Sequence, residues 1–104
     1  MNLPAWFTAR IDFDPDGCWL WTGARNSRGY GVLRHDYRYA YAHRVAYNWL
    51  VDAASPIYPG VPGLQLDHLC CVKRCVNPAH LEPVSNAENC RRHWARVRLA
   101  MAVA

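Results

Sequence analysis

The first part of the chain alternates turn signals with short aromatic or apolar stretches. Residues 14–17, Asp-Pro-Asp-Gly, form a turn sequence, and the aromatic run at 18–22 after them is typical of a short strand. A loop sequence at 25–29 precedes a second strand-like stretch at 30–34. We therefore expect residues 18 to about 41 to form an antiparallel β-hairpin or meander.

A helix and a long connection follow this hairpin in the sequence. Apolar residues recur at helical spacing from position 42 to about 51, which predicts a helix there. Residues 52–63 contain three prolines and two glycines. Because both residue types interrupt regular structure, this stretch is predicted to be a connecting loop.

The second part of the chain predicts a strand, a loop, a return strand and a helix. Apolar and polar residues alternate at 64–69, and a shorter apolar stretch returns at 81–84. Ser85 and Glu88 then have the spacing of a capping box, which predicts a helix from there to the end of the chain. Together the elements indicate an α+β fold.

Composition indicates a small folded domain. The chain has 104 residues, of which 52% are hydrophobic and 19% charged, and length alone favours a single domain over residues 1–104. No apolar run reaches the roughly 18 residues of a membrane span, so no membrane partner is expected. Residues 1–10 lack the pattern of a signal peptide, which makes a reducing cytoplasmic location the expectation.

The positive charge is concentrated in the second part of the chain. The formal net charge is +4, and basic and acidic residues balance over positions 1–67, so the whole excess lies in 68–104. All the basic residues except Lys73 are arginines. Because arginine makes bidentate contacts with phosphate, the pattern favours a nucleic-acid partner, with a merely solvated charged helix as the alternative.

The cysteines predict a metal site. Their odd number excludes a complete set of internal disulfides, and Cys70, Cys75 and His80 follow one another at Cys-x4-Cys-x4-His spacing. Thiolate and imidazole are preferred zinc ligands, and Cys18 is the obvious fourth donor for a tetrahedral structural site. By spacing alone, Cys71 could replace Cys70. The alternative is that these residues are buried free thiols.

Taken together, the motifs resemble those of the HNH, or ββα-metal, endonucleases. The resemblance is closest to zinc-stapled HNH enzymes of phages and to His-Cys box homing endonucleases. It covers roughly residues 17–92. It is carried by Asp67-His68-Leu69-Cys70, the run Cys75 to Leu81, Glu88-Asn89, and three earlier segments, Gly17 to Gly23, Gly29-Tyr30-Gly31 and Ala42-His43-Arg44.

The resemblance implies a fold and an activity. It implies a ββα-metal core at about 64–98, with Cys70 preferred over Cys71 as the zinc ligand. It also implies hydrolysis of DNA phosphodiester bonds, leaving 5′-phosphate and 3′-hydroxyl ends, with Mg²⁺ or another divalent ion as cofactor. The chain could act as a monomer or a homodimer.

Individual roles follow from the same resemblance. His68 would be the general base, a role suited to an imidazole with a pKa of about 6.5. Asp67 and Asn89 would hold the catalytic cation, with His93 as a further candidate ligand, and Asn77 would brace the loop. The residues expected to contact DNA are Arg44, Arg91, Arg92 and Arg96.

Each assignment has a structural alternative. His68 could be an ordinary strand histidine or a competing zinc ligand, Asp67 a surface carboxylate, and Asn77 a simple turn residue. The alternative functions are a non-catalytic, zinc-stabilised DNA-binding module of the same fold and a redox or structural metalloprotein. The absence of a Cys-x2-Cys motif argues against the last of these.

Overall fold

The structure, a computed structural model, describes residues 3–35, 38–51 and 64–103. Its elements in chain order are α1 (Ala5–Thr8), β1 (Ile11–Phe13), β2 (Trp19–Trp21), β3 (Val32–His35), β4 (Arg38–Tyr41), α2 (Ala42–Leu50), β5 (Leu64–His68), a short 3-10 helix (Pro78–His80), β6 (Leu81–Ser85) and α3 (Asn86–Val103). This confirms the α+β class.

The strands form three antiparallel pairs: β1 with β2, β3 with β4, and β5 with β6. The hairpin predicted over 18–41 is therefore divided, because β2 pairs with β1 and β3 turns back onto β4. The pairing of β1 with β2 is supported by side chains, since Phe13 lies edge-on to Trp19 with ring centroids 5.5 Å apart. Strand β1 has only three residues, too few for an alternating pattern to show in the sequence.

The elements of the second part match the predictions closely. β5 runs antiparallel to β6, with His68 opposite Leu81. Helix α3 begins directly after Ser85, whose Oγ accepts a hydrogen bond from the Glu88 backbone N–H at 3.1 Å. α3 packs on both strands of this pair, which completes a strand–strand–helix unit. The predicted loop at 52–63 lies outside the described residues.

The core joins the first part of the chain to α2 and to the loop after β5. Trp21 is 1% exposed, and its ring lies 4.9 Å from that of Phe7. Val45 of α2 and Val76 of the loop belong to the same buried cluster. The loop is thus held partly by apolar packing. No helix among the described residues is both long and apolar enough to cross a membrane.

Two glycines make room for Trp21. A Cβ atom added at Gly31 would lie 2.6 Å from Trp21 Cδ1, and one at Gly23 would lie 2.8 Å from Trp21 Nε1. Both distances are below van der Waals contact. Because Trp21 is fixed in the core, its ring has little freedom to move away.

We expect Gly31→Ala to destabilise the fold by about 1–3 kcal/mol, the usual effect of overpacking a filled core. Thermal unfolding followed by circular dichroism measures this. Ala24→Ser, at an exposed position beside Gly23, serves as the control and should leave the melting temperature unchanged. An unaltered melting temperature in Gly31→Ala would mean that the Trp21 ring can shift at no cost.

Candidate active site and metal centre

The loop between β5 and β6 is attached to β2 by backbone hydrogen bonds. The Trp21 N–H donates to the Arg74 carbonyl at 2.9 Å, and the Val76 N–H donates to the Trp19 carbonyl at 2.8 Å. Leu20 and Cys75 form a bridge between these two bonds. The attachment brings Cys18, just before β2, next to the cysteines of the loop.

Cys18, Cys70, Cys75 and His80 converge on one point. Their candidate ligand atoms all lie within 4.8 Å of one another, and His80 Nδ1 is 3.6 Å from both Cys18 Sγ and Cys75 Sγ. Sulfur and nitrogen ligands on a tetrahedral zinc ion are about 3.6 Å apart, given Zn–S and Zn–N lengths of about 2.3 and 2.0 Å. The donor set and its spacing therefore fit Zn²⁺, and the cluster could hold it.

The structure separates Cys70 from Cys71. Cys70 belongs to the cluster, whereas the exposed Cys71 has a left-handed backbone with φ of 61°. Burial, with Cys75 and Cys70 nearby, raises the pKa of Cys18 to about 12. Burial also raises the pKa of Cys70. Without a cation these thiols are neutral, while a bound zinc ion would hold them as thiolates.

Asn77 connects the cysteine loop to the turn before Cys18. Its Nδ2 donates to the Gly17 carbonyl at 2.7 Å, and its Oδ1 accepts from the Ala79 N–H at 3.0 Å. Gly17 has a φ of 93°, a conformation that favours glycine. The contacts of Asn77 thus brace the metal loop itself, and they reach His68 only through that loop.

An open cleft of about 310 Å³ lies between β5, the cysteine loop and α3. It is lined by Tyr30, Leu66, Asp67, His68, Cys71, Lys73, Asn89, Cys90, His93 and Arg96. All the side chains expected to take part in catalysis or to hold the catalytic cation line this cleft, except Asn77. Cys90, for which the sequence suggests no role, lies at its wall.

The loop fixes one ring nitrogen of His68. It is 6% exposed, and its Nε2 lies 3.0 Å from the Cys75 carbonyl oxygen. Because a carbonyl only accepts, Nε2 carries the hydrogen and Nδ1 keeps the lone pair of the neutral ring. Burial lowers the pKa of His68, and the Cys75 hydrogen bond only partly offsets this. The imidazole is therefore neutral near pH 7.

Asp67 is buried and paired with two arginines. Arg96 binds both carboxylate oxygens, at 2.9 and 3.0 Å, and Arg92 binds one of them at 3.0 Å. The hydrogen bonds from Arg96, and then those from Arg92, lower the pKa of Asp67 against the effect of burial. Asp67 is thus ionised. Three of the roughly four lone-pair positions of a carboxylate are occupied, which leaves one for a cation.

Asn89 faces the same cleft from α3. Its Nδ2 donates to Oε1 of Gln65, and Gln65 in turn donates to Asn86 at 3.0 Å. With its nitrogen engaged, the atom of Asn89 that can bind a cation is Oδ1. Carboxylate and amide oxygens fit Mg²⁺, and His93 lies one helical turn further along the same wall.

The four arginines expected to contact DNA have different surroundings. Arg92 also binds Glu82 at 2.7 Å and Glu88 at 3.2 Å, so three carboxylates surround it. The exposed Arg91 pairs with Glu88. Arg96 lines the cleft, and Arg44 lines an adjoining cavity of about 160 Å³ that also contains Asn89. Arg44 and Arg96 are therefore the two that reach the cavities.

Sequence reasoning missed two cleft residues, Tyr30 and Lys73. Lys73 Nζ lies 5.6 Å from the centre of the Tyr30 ring, which places a positive charge at the cleft entrance. Lys73 lies between two zinc-ligand candidates, Cys70 and Cys75, and the spacing of these cysteines indicates no role for the residues between them. Tyr30 lies in a stretch for which the sequence predicts a strand. Its position beside the cleft depends on tertiary packing alone.

Comparison with known proteins gives a family match in the second part of the chain. The HNH endonuclease family model matches residues 57–91. The chain is also 32% identical to Protein 2.8 of Escherichia phage T7 over 91 residues, which are 86% of this chain and 58% of the phage protein. Through residues 57–91, the chain thus resembles the HNH endonucleases. It spans less than two thirds of that relative's length, and no solved structure matches it with significance.

The HNH match covers part of the cleft and part of the metal centre. Asp67, His68 and Asn89 lie within residues 57–91, as do three of the four zinc-ligand candidates. The fourth, Cys18, lies far outside the match. The first part of the chain thus supplies a side chain to the candidate metal centre.

We expect Cys75→Ser to lose bound zinc and to unfold at a lower temperature, by roughly 10 °C or more, because the metal contributes directly to folding. Metal analysis and thermal unfolding test this. Cys71→Ser provides the matched control, since its thiol lies outside the cluster, and it should keep one zinc per chain. Zinc retained in Cys75→Ser, or lost in Cys71→Ser, would contradict the assignment of ligands.

Proposed function

We propose that this chain is a metal-dependent DNA endonuclease that hydrolyses phosphodiester bonds and leaves 5′-phosphate and 3′-hydroxyl ends. It would work as a single domain over residues 1–104, with its ββα-metal core at about 64–98. The observation that carries the proposal is the state of His68. Its imidazole is buried, neutral and fixed through Nε2, beside an ionised Asp67 and an oriented Asn89.

His68 would act as the general base through Nδ1. With its hydrogen on Nε2 donated to the Cys75 carbonyl, the ring can take a proton from water only at Nδ1. The developing imidazolium keeps that hydrogen bond, because Nε2 remains a donor after Nδ1 is protonated. The fixed ring therefore accepts the proton without reorienting.

Asp67 and Asn89 would hold the catalytic cation between β5 and α3. A divalent ion bound there supplies a Lewis acid for the phosphate and the leaving oxygen. The bonds from Arg96 and Arg92 keep Asp67 ionised and fixed. Gln65 orients the amide of Asn89 in the same way. Both ligands are thus positioned before substrate arrives.

Arg96, Lys73 and Arg44 would contact the DNA backbone. All three line the two adjoining cavities around His68 and Asn89. Arg92 would instead stabilise the site, because three carboxylates surround it. The proposal thus assigns different roles to the arginines that the sequence predicts to contact DNA, Arg44, Arg91, Arg92 and Arg96.

The second candidate function is a zinc-stabilised DNA-binding module without catalysis. The pairing of Asp67 with two arginines favours it, since those bonds would stabilise α3 on the strands even if no cation ever bound. A module that only binds DNA, however, would not need a buried histidine such as His68 with a free Nδ1 beside the Asp67 carboxylate. The two functions separate experimentally, because only the nuclease cuts DNA when Mg²⁺ is added.

We expect His68→Ala to reduce Mg²⁺-dependent nicking of supercoiled plasmid by about 10²–10⁴-fold, the usual contribution of a general base. Zinc content and circular dichroism should stay unchanged. Leu69→Ala, at the exposed neighbouring position, is the matched control and should cut normally.

Full nicking by folded His68→Ala would rule out its role as the base. A wild-type protein that binds DNA in a salt-sensitive way but cuts it with no divalent ion would identify the binding module instead.

Arg96 and Arg92 should respond differently to replacement. We expect Arg96→Gln to weaken duplex DNA binding and to lower the slope of log affinity against log salt by about one, as for one lost phosphate contact. Arg92→Gln should keep that slope but lower the melting temperature more than Arg96→Gln does, because it removes ion pairs with three carboxylates, Asp67, Glu82 and Glu88, rather than with one. Fluorescence anisotropy and thermal unfolding measure the two effects. The reverse pattern would make Arg92 the phosphate contact.

A further inference from the structure

Aromatic rings from the first part of the chain surround the imidazole of His68. The His43 ring on α2 lies 4.6 Å from the His68 ring, inclined at 61°, and the Tyr30 ring lies 5.7 Å from it. Tyr30 and His43 are themselves 5.6 Å apart, and Tyr41 contacts both at 5.8 and 5.6 Å. His68 is thus packed against residues outside the strand–strand–helix unit.

The hydrogen bond from His68 to Cys75 does not fix the ring by itself. One bond at Nε2 constrains the position of one atom, while the imidazole plane can still tilt about the line from Cβ to Nε2. The His43 ring stands against the His68 ring in a T-shaped arrangement and blocks that tilt on one side. Tyr30 borders the same ring and also lines the cleft.

We propose that His43 is a positioning residue for the general base, holding the His68 ring so that Nδ1 faces the cleft. The inference rests on the proposed function, because it concerns the base of that reaction. His43 does not itself line the larger cleft, so it acts through His68. It lines the smaller cavity, together with Tyr30 and Tyr41.

The burial of His43 indicates that its ring acts by packing against His68 and not through a hydrogen bond. The residue is 6% exposed, and among the described residues its buried Nδ1 has no hydrogen-bond partner. An unpaired buried nitrogen reduces stability, and a phenyl ring of similar size would not carry one. Its packing against His68 therefore depends on the flat ring, and a phenyl group should replace it.

The test compares His43→Ala with His43→Phe. We expect His43→Ala to lower kcat for plasmid nicking by about 10-fold or more, since small displacements of a reacting group are costly, and to change KM less than about 2-fold. His43→Phe should recover most of that kcat and melt at least as high as the wild type. Val45→Ala, in the buried core on the same helix, controls for destabilisation of α2 and should keep kcat.

A second readout does not depend on cleavage. Long-range ¹H–¹⁵N spectra of the zinc-loaded protein without Mg²⁺ report which nitrogen of His68 carries the hydrogen. The wild type and His43→Phe should show one sharp Nδ1 signal of the Nε2–H form, while His43→Ala should keep the Nε2–H form but show a shifted and broadened Nδ1 signal. An unchanged His68 signal in folded His43→Ala, or an equal loss of kcat in Val45→Ala, would overturn the positioning role. If the wild type does not cut DNA, the proposed function fails, and the spectra still show whether His43 holds His68.

Discussion

The attachment of the cysteine loop to β2 is the constraint on which the rest of the structure depends. Cys75 lies at its centre and contributes to both sites, through its side chain and through its backbone. Its Sγ belongs to the Cys18, Cys70 and His80 cluster, and its carbonyl oxygen accepts the hydrogen bond that orients His68. A displacement of Cys75 would therefore disturb the metal ligands and the proposed base together. The zinc site, although remote from the reaction, would contribute to the geometry of the active site by this route.

The same attachment explains how a small domain holds a cleft with fixed walls. Val76 joins the main buried cluster directly after Cys75, so the loop is held by packing on one side and by the metal ligands on the other. On the opposite wall, the carboxylates Asp67 of β5 and Glu82 of β6 hold α3 against these strands through Arg92. Neither wall relies on a large core, which a chain of 104 residues cannot build easily. Ion pairs supplement apolar burial on one wall of the cleft, and a zinc ion bound by the cysteine loop would do so on the other.

The parts that could be predicted from sequence are those with local signals. Alternation over 64–69, the Ser85 cap and the spacing of Cys70, Cys75 and His80 predicted β5, α3 and three members of the metal cluster, because each depends on residues close together in the chain. The fourth member, Cys18, followed from the need for a fourth donor. Other contacts join residues that are 25 or more positions apart in the chain, and no periodic pattern in the sequence indicates them. They are the contact of His43 with His68 and the bonds of Arg92 and Arg96 to Asp67. A row of arginines on a helix predicts a DNA surface equally well whether or not carboxylates lie opposite. Only the fold distinguishes Arg92 from Arg96.

The pairing of Asp67 with two arginines also bears on how cation and DNA would enter the proposed active site. Arg96 holds Asp67 with both of its terminal nitrogens, so a cation approaching that carboxylate meets a positive charge already in place. A DNA phosphate at Arg96 would compete for the same guanidinium and so expose more of the carboxylate. Because the phosphate brings negative charge while the cation brings positive charge, each reduces the electrostatic cost of the other. In the proposed active site, cation and DNA would therefore bind more favourably together than alone, and Arg96, rather than Arg92, would link the two.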